Sequence, residues 1–307
     1  MIIMKKYIFI LILSVFVCNT FAQDIDTEIK PKDKPVRSPF ESGLLIDNQT
    51  SVIPVKNTLE FVIQHKFGTM ENGFSDLFGI YSPGANIRLG LNFVPIKNVQ
   101  IGTGVTKKNM YTDFNIKWTI LEQTRKNTVP IAVAVYGSFA IDGRNTSEFG
   151  NGQIVETKFP SLPKYISSSD RLSYFSQLII GRKFTDWLSL QVATSYTHYN
   201  MVEWDYSHRV LGVHFNGRIK VSPQGSFVFN YDLPLKIESL SEQTNWDTHP
   251  NSNLAFGFEI STSTHAFHIY MGTADGIIPQ DMIMYNQNDW KDKGMAIGMT
   301  ITRLWNF

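Results

Sequence analysis

The sequence predicts an all-β protein: a closed antiparallel transmembrane β-barrel of about 12 strands. Three observations carry that expectation. Apolar and polar residues alternate at period two in segment after segment from residue 57 to the C-terminus. The connections between these segments are long and short by turns. The chain begins with an export signal and stops on an aromatic residue inside its last alternating segment.

Composition narrows the field first. Of 307 residues 43% are hydrophobic and 18% charged, with 28 basic against 27 acidic. That is too apolar for a disordered chain. It also lacks the basic surface that a nucleic-acid partner would need. A single cysteine excludes a disulfide framework and every multi-cysteine metal site.

Residues 1–22 read as a secretory signal peptide. Lys5 and Lys6 form its basic start, Tyr7 to Val17 its apolar run, and Thr20-Phe21-Ala22 its small-residue end, with cleavage expected after Ala22. Cys18 could instead be a lipoprotein cysteine, but Val17 stands where a small residue is wanted. Removing the signal removes Cys18, so the mature chain is cysteine-free. No later stretch holds about 18 consecutive apolar residues, so no transmembrane helix is expected.

Residues 23–56 form a polar periplasmic lead-in, expected to be partly disordered. Lys30-Pro31-Lys32-Asp33-Lys34-Pro35 opposes regular structure, and Gly43-Leu44-Leu45-Ile46 is its one apolar run. That run could thread into the lumen or lie against the periplasmic rim.

The barrel is expected over 57–307. Leu59, Phe61 and Ile63 alternate with Glu60, Val62 and Gln64; Ile87, Leu89, Leu91 and Phe93 alternate with Arg88, Gly90 and Asn92. The same rhythm returns around Val99–Val105, Phe114–Ile120, Ile131–Tyr136, Leu172–Phe184, Leu188–Ala193, Leu211–Asn216, Phe227–Asp232, Leu254–Ile260, Phe267–Met271 and Met295–Thr302. Segments of about ten residues suit a tilted strand crossing a bilayer.

The connections 68–85, 141–170, 234–252 and 272–294 are long, and every second connection is short. Short periplasmic turns facing long outer loops are the pattern of bacterial outer-membrane barrels. It puts both termini in the periplasm and the protein in a Gram-negative outer membrane. Most tryptophans fall near strand ends, as an interfacial belt would place them. Phe307 and Trp305 form a terminal aromatic signal for the barrel-assembly machinery, which with outer-membrane lipid is an expected partner.

In lipid the apolar face must point outward and the polar face inward. The expected lumen-lining residues are Glu60, Gln64, Lys66, Arg88, Asn92, Asp113, Lys117, His214, Arg218, Lys220, Asp232, Glu259 and His268. Arg88 should lean towards Gln64 or towards a carboxylate across the pore, for which Asp113 is the candidate. These groups could line a solute path of both charge signs, or seal the lumen with ion pairs.

No catalytic residue, metal site or cofactor is expected. A twelve-stranded phospholipase would need a His-x-Ser-Asn-Gly run, which is missing, and His65 falls on the outward face near the rim. Of seven histidines only His265 and His268 are close, and that spacing on a strand puts them on opposite faces. Asp281, Asp289 and Asp292 suggest a solvated outer loop. A gated transporter would want a folded plug far larger than the short lead-in.

The stretch Pro54-Val-Lys-Asn-Thr-Leu-Glu-Phe-Val-Ile-Gln-His-Lys-Phe-Gly68, followed by Asp76-Leu-Phe-Gly-Ile-Tyr81 and Asn86-Ile-Arg-Leu-Gly90, resembles the uncharacterised outer-membrane β-barrel group known as domain-of-unknown-function family 5777. The resemblance runs from about Ser38 to the end. It implies an outer-membrane barrel and brings no activity or ligand. The functional expectation is a passive channel or transporter for small solutes. The alternatives are a structural or surface-binding barrel with a closed lumen and, further off, a lipid-modifying enzyme.

The terminal strand gives a direct test. Phe307→Asp should impair insertion, read as loss of heat-modifiable migration on a gel; normal insertion would reduce Phe307 to an ordinary strand residue.

Overall fold

The structure is a computed structural model that describes residues 33–145, 167–203, 205–242 and 245–307. The expected signal peptide, the middle of the 141–170 connection and Trp204 lie outside the described residues. The barrel wall consists of β3 (Thr58–Thr69), β4 (Asn86–Ile96), β5 (Val99–Thr106), β6 (Thr112–Leu121), β7 (Ala132–Ile141), β8 (Leu172–Lys183), β9 (Leu188–Tyr199), β10 (Arg209–Lys220), β11 (Gly225–Leu235), β12 (Asn253–Ser261), β13 (His265–Gly272) and β14 (Ala296–Asn306). Each pairs antiparallel with its chain neighbours, and β14 closes the sheet on β3, from Asn306 opposite Thr58 to Ala296 opposite Thr69. Closure leaves no edge, the condition a sheet must meet in hydrocarbon.

Side chains alternate across this wall as the period-two pattern requires. Leu89, Leu91, Ile101, Ile116, Phe258 and Ile269 are exposed on the outside, while Glu60, Gln64, Lys66, Asp113, Lys117 and Glu259 are buried within. The longest connections gather at one end, although the short 107–111 link between β5 and β6 is also there and the longer 122–131 link between β6 and β7 lies at the other. At the end where β3 begins and β14 stops, β4 and β5 meet in the two-residue turn Lys97–Asn98, where Asn98 takes φ 65°, a conformation asparagine tolerates. At this end the Phe307 N–H donates to the Asn57 carbonyl at 3.1 Å.

Residues 23–32 of the lead-in lie outside the described residues; the part from 34 onward is tied to the barrel. Pro35 bridges Thr124 in the β6–β7 turn, the Val36 N–H donates to Gln123 O and the Arg125 N–H to Lys34 O, both at 2.9 Å. Lys34, Pro35 and Val36 thus anchor at the β6–β7 turn. The chain then turns into the lumen as a small hairpin, β1 (Leu44–Leu45) and β2 (Asn48–Gln49). Phe40, Leu45 and Ile46 are buried against Val228, Ala255 and Tyr270 of the wall.

The second insert overturns an expectation. The β13–β14 connection, read as a solvated outer loop, folds back into the barrel from the long-loop end. Its helix α1 (Pro279–Met284) has proline in its first turn, and Gln280 through Met284 are buried. The reason is apolar: Ile278, Ile283 and Met284 pack on a patch of inward-facing Ala134, Tyr136, Phe175, Ile179, Ala193 and Val210. β7 to β10 therefore carry an apolar stripe inside a mostly polar lumen, and the loop covers it. A plug of domain size is not needed; a hairpin and one loop fill the space.

This placement separates two loops that the sequence treats alike. With the signal removed, an introduced cysteine is the only one. In folded, detergent-solubilised protein Glu238→Cys should react quickly with a maleimide and Met282→Cys slowly, because Glu238 is exposed and Met282 is 5% exposed. Equal rates would place the loop outside the lumen.

Candidate functional site

The candidate site is the lumen itself. Its wall carries side chains that the strand register sets opposite one another. Arg88 on β4 lies beside Gln64 on β3 and reaches Asp113 on β6 across β5. Its Nε and Nη2 donate to the two Asp113 oxygens at 2.8 and 2.6 Å, and Nη1 donates to Gln64 Oε1 at 3.2 Å. This is the bidentate fork that arginine makes with a carboxylate. Gly90 and Gly104 form its floor, since a methyl group at either would collide with the guanidinium.

Lower in the barrel, Glu60 accepts from Asn92 at 2.9 Å and from Gln100 at 2.8 Å. On the opposite wall Glu259 accepts from Arg218 at 2.7 Å and pairs with His268 at 3.0 Å, and Arg218 also reaches Glu41 of the lead-in at 2.8 Å. His214 lies between Asp232, 2.7 Å from Nδ1, and Ser195, 2.8 Å from Nε2. Lys220, the last residue of β10, is half-buried near the terminal end. His65 sits on the outer face with its ring centroid 4.3 Å from that of Phe67. Phe307 is exposed at the rim, and Arg303 stacks over the Trp305 ring at 4.8 Å.

The hairpin binds this wall through polar contacts. Lys117 Nζ donates to Gly43 O at 3.0 Å and to Gln49 Oε1 at 3.2 Å. Asn48 donates to Asn216 at 3.0 Å and to Asp232. Asn230 donates to Leu45 O and Gln191 to Gln49 O, at 2.8 and 2.7 Å. The hairpin turn is strained: Ile46, a β-branched residue, holds φ 57°. Packing keeps it there, since Ile46 is fully buried.

Lys66 joins the two inserts. Its ammonium lies 2.8 Å from Asp47 at the hairpin tip and donates to Ala274 O and Gly276 O of the inward loop, also at 2.8 Å. A second tie holds the loop from above, where Lys108 lies 3.1 Å from Asp281 and 3.3 Å from Asp275. Burial would lower the Lys108 pKa, but the two carboxylates outweigh it and hold it above the usual lysine range. Burial pushes the Asp281 carboxyl upward against the pull of Lys108.

Between the inserts remains a cavity of about 20 Å³, bordered by Leu44, Asp47, Gln64, Arg88, Asp113 and Gln280. That is room for about one water, so the hairpin and the loop leave little free space between them.

The alternation placed the wall residues but missed their partners in the inserts, Glu41, Asp47 and Asp281. A signal for the hairpin did exist: Asp47-Asn48 directly after an apolar run is turn chemistry. Nothing local marks the direction in which the Asp281 loop folds.

No curated protein matches the chain in sequence. Among solved structures, an outer-membrane channel from Pseudomonas putida F1 is 10% identical, with 83% of this chain and 97% of that chain covered, at a TM-score of 0.48. The KdgM porin is 9% identical over 81% of this chain and 99% of its own, at 0.41. The outer-membrane phospholipase A of Escherichia coli is 10% identical over 84% and 93%, at 0.40. The family model for a membrane-bound β-barrel domain, DUF5777, matches residues 40–305, a span that includes the lumenal hairpin. The chain belongs to this family of membrane-bound β-barrels.

Proposed function

We propose that the protein is an outer-membrane channel for small polar solutes, closed at rest and opened when its two lumenal inserts shift. The observation that carries the reading is the way the lumen is closed. Both inserts are continuous with the barrel chain, and the ties around Lys66, Lys117 and Asn48 are ion pairs and hydrogen bonds. Such contacts contribute about 1 kcal/mol net each, because water or a polar solute can replace them. A lumen sealed only to brace the wall would be served as well by apolar packing, which is often the more stabilising choice. The strained turn at Ile46 adds a local bias towards release. A passive, permanently open pore does not suit this arrangement. The second reading, a barrel that stays shut and acts through its surface, is supported by the same water-sized cavity.

Conductance separates the two. In a planar bilayer the wild-type barrel should be almost silent, with rare discrete openings. Lys66→Met, which removes the tie to both inserts, should open frequently. Replacing residues 40–51 by a Gly/Ser segment should leave a persistently conducting pore. Folded barrels of both variants that stay silent at all voltages would establish the closed-scaffold reading.

The wall network has its own stability test. Arg88→Ala strands Asp113 as a buried unpaired carboxylate, a loss of about 3–5 kcal/mol for a pair of this kind. Thermal unfolding in detergent should show a clear drop, and adding Asp113→Asn should restore part of it. An unchanged midpoint would mean that water enters this part of the lumen freely.

A further inference from the structure

Ser195, His214 and Asp232 stand on three successive strands, β9, β10 and β11, and all face the lumen. The Ser195 hydroxyl lies 2.8 Å from His214 Nε2, and His214 Nδ1 lies 2.7 Å from Asp232 Oδ1. An ionised carboxylate only accepts, so the contact with Asp232 places the imidazole proton on Nδ1 and leaves Nε2 to accept from the serine. Asp232 is fixed in turn, since Asn253 donates to its other oxygen at 2.8 Å and Asn48 of the hairpin donates to Oδ1. This is the nucleophile, base and orienting acid of a serine hydrolase, recognised by geometry and role and not by order in the chain.

Two further observations point to a substrate. Gln177 on β8 lies directly opposite Ser195, and both of its buried side-chain polar atoms lack a hydrogen-bond partner. A buried amide of this kind calls for an explanation. Its amide, on the strand next to Ser195, could supply the donor that an oxyanion needs. On the other side of Ser195 the register places Gly212. A methyl group there would crowd Ser195 Oγ at 2.7 Å and Ile283 Cδ1 at 3.0 Å, so the missing side chain leaves space that Ile283 of α1 now fills. The wall next to this spot is the apolar stripe of Phe175, Ile179, Ala193 and Val210 under α1. With α1 displaced, a nucleophile, a free amide donor and a bare apolar surface would adjoin one another.

We propose that Ser195, His214 and Asp232 form a hydrolytic relay inside the lumen, covered by α1, that cleaves an ester bearing an apolar acyl chain. Ser195 Oγ bonds to the carbonyl carbon as His214 Nε2 takes the hydroxyl proton. The carbon–oxygen bond to the alcohol breaks, and His214 returns the proton to the departing oxygen. Water then attacks the acyl-serine, gives a proton to His214, and releases the carboxylic acid as Ser195 regains its proton. Asp232 positions the imidazole and stabilises its charged form; Gln177 donates to the developing oxyanion.

The test uses an alkyl fluorophosphonate carrying a reporter, applied to the full-length folded barrel in detergent, with the adduct located by mass spectrometry. Labelling should fall on Ser195 and vanish in Ser195→Ala. Ile283→Ala and Lys108→Ala, which loosen the α1 loop, should label faster than wild type. His214→Asn in the Ile283→Ala background should slow labelling at least tenfold, since a positioned base is worth about 10²–10⁴ in rate. Gln177→Ala should leave the barrel folded and reduce turnover of p-nitrophenyl butyrate by the loosened variant. The proposal is overturned if heat-modifiable, folded barrels of all loosened variants carry no adduct on Ser195, or if the adduct forms at the same rate without His214.

Discussion

A single buried ammonium links the three parts of the lumen. Lys66 extends from β3 into an interior where it touches Asp47 on the hairpin and two carbonyls of the inward loop. A lysine buried this fully is costly unless it is paired and hydrogen-bonded. Here the wall supplies the cation, the lead-in supplies the carboxylate, and the β13–β14 connection supplies the carbonyls. Asp47 is held a second time, since the Tyr270 hydroxyl donates to its other oxygen at 3.0 Å.

The wall sets the terms for that arrangement. A closed sheet in hydrocarbon has to face its apolar side outward, and the lumen inherits the polar half of every strand. Arg88, Lys117, Arg218, Glu60, Asp113, Asp232 and Glu259 are all buried in a small volume. Each has a polar partner in the wall, in an insert, or in both, neutral for Lys117 and Glu60 and charged for Arg88 and Arg218. The glycines at 90 and 104 are part of the same design, because the Arg88 fork lies across the space their side chains would occupy.

The lumen is not uniformly polar, and its asymmetry gives the second insert its seat. β7 to β10 turn Ala134, Tyr136, Phe175, Ile179, Ala193 and Val210 inward, and α1 covers them. A solvated channel with an apolar stripe would expose it to water; a loop that can lie on the stripe removes that exposure. The Ser195–His214–Asp232 set adjoins this stripe, so the feature that closes the lumen and the feature that offers chemistry share one surface.

The sequence by itself determined the barrel. Period two is a property of the strand backbone, so Ile87 to Phe93 or Leu254 to Ile260 reads outward and inward without knowledge of any neighbour. Hairpin connections then set neighbouring strands side by side, and with that the meeting of Arg88 with Gln64, because residues on adjacent antiparallel strands fall opposite one another by counting; Asp113 lies one strand further on, and only the length of the Arg88 side chain across Gly104 brings them together. Tertiary structure alone decided what fills the barrel. Asp47 and Asp281 lie in connections with no periodicity, and their burial depends on cavities formed by strands far away in the chain. Asp281 looked like a loop residue because its local sequence is one; only the apolar stripe assembled from β7 to β10 draws it inside. Ser195, His214 and Asp232 could each be read as inward-facing polar residues, but their hydrogen bonds exist only once three strands settle into one register.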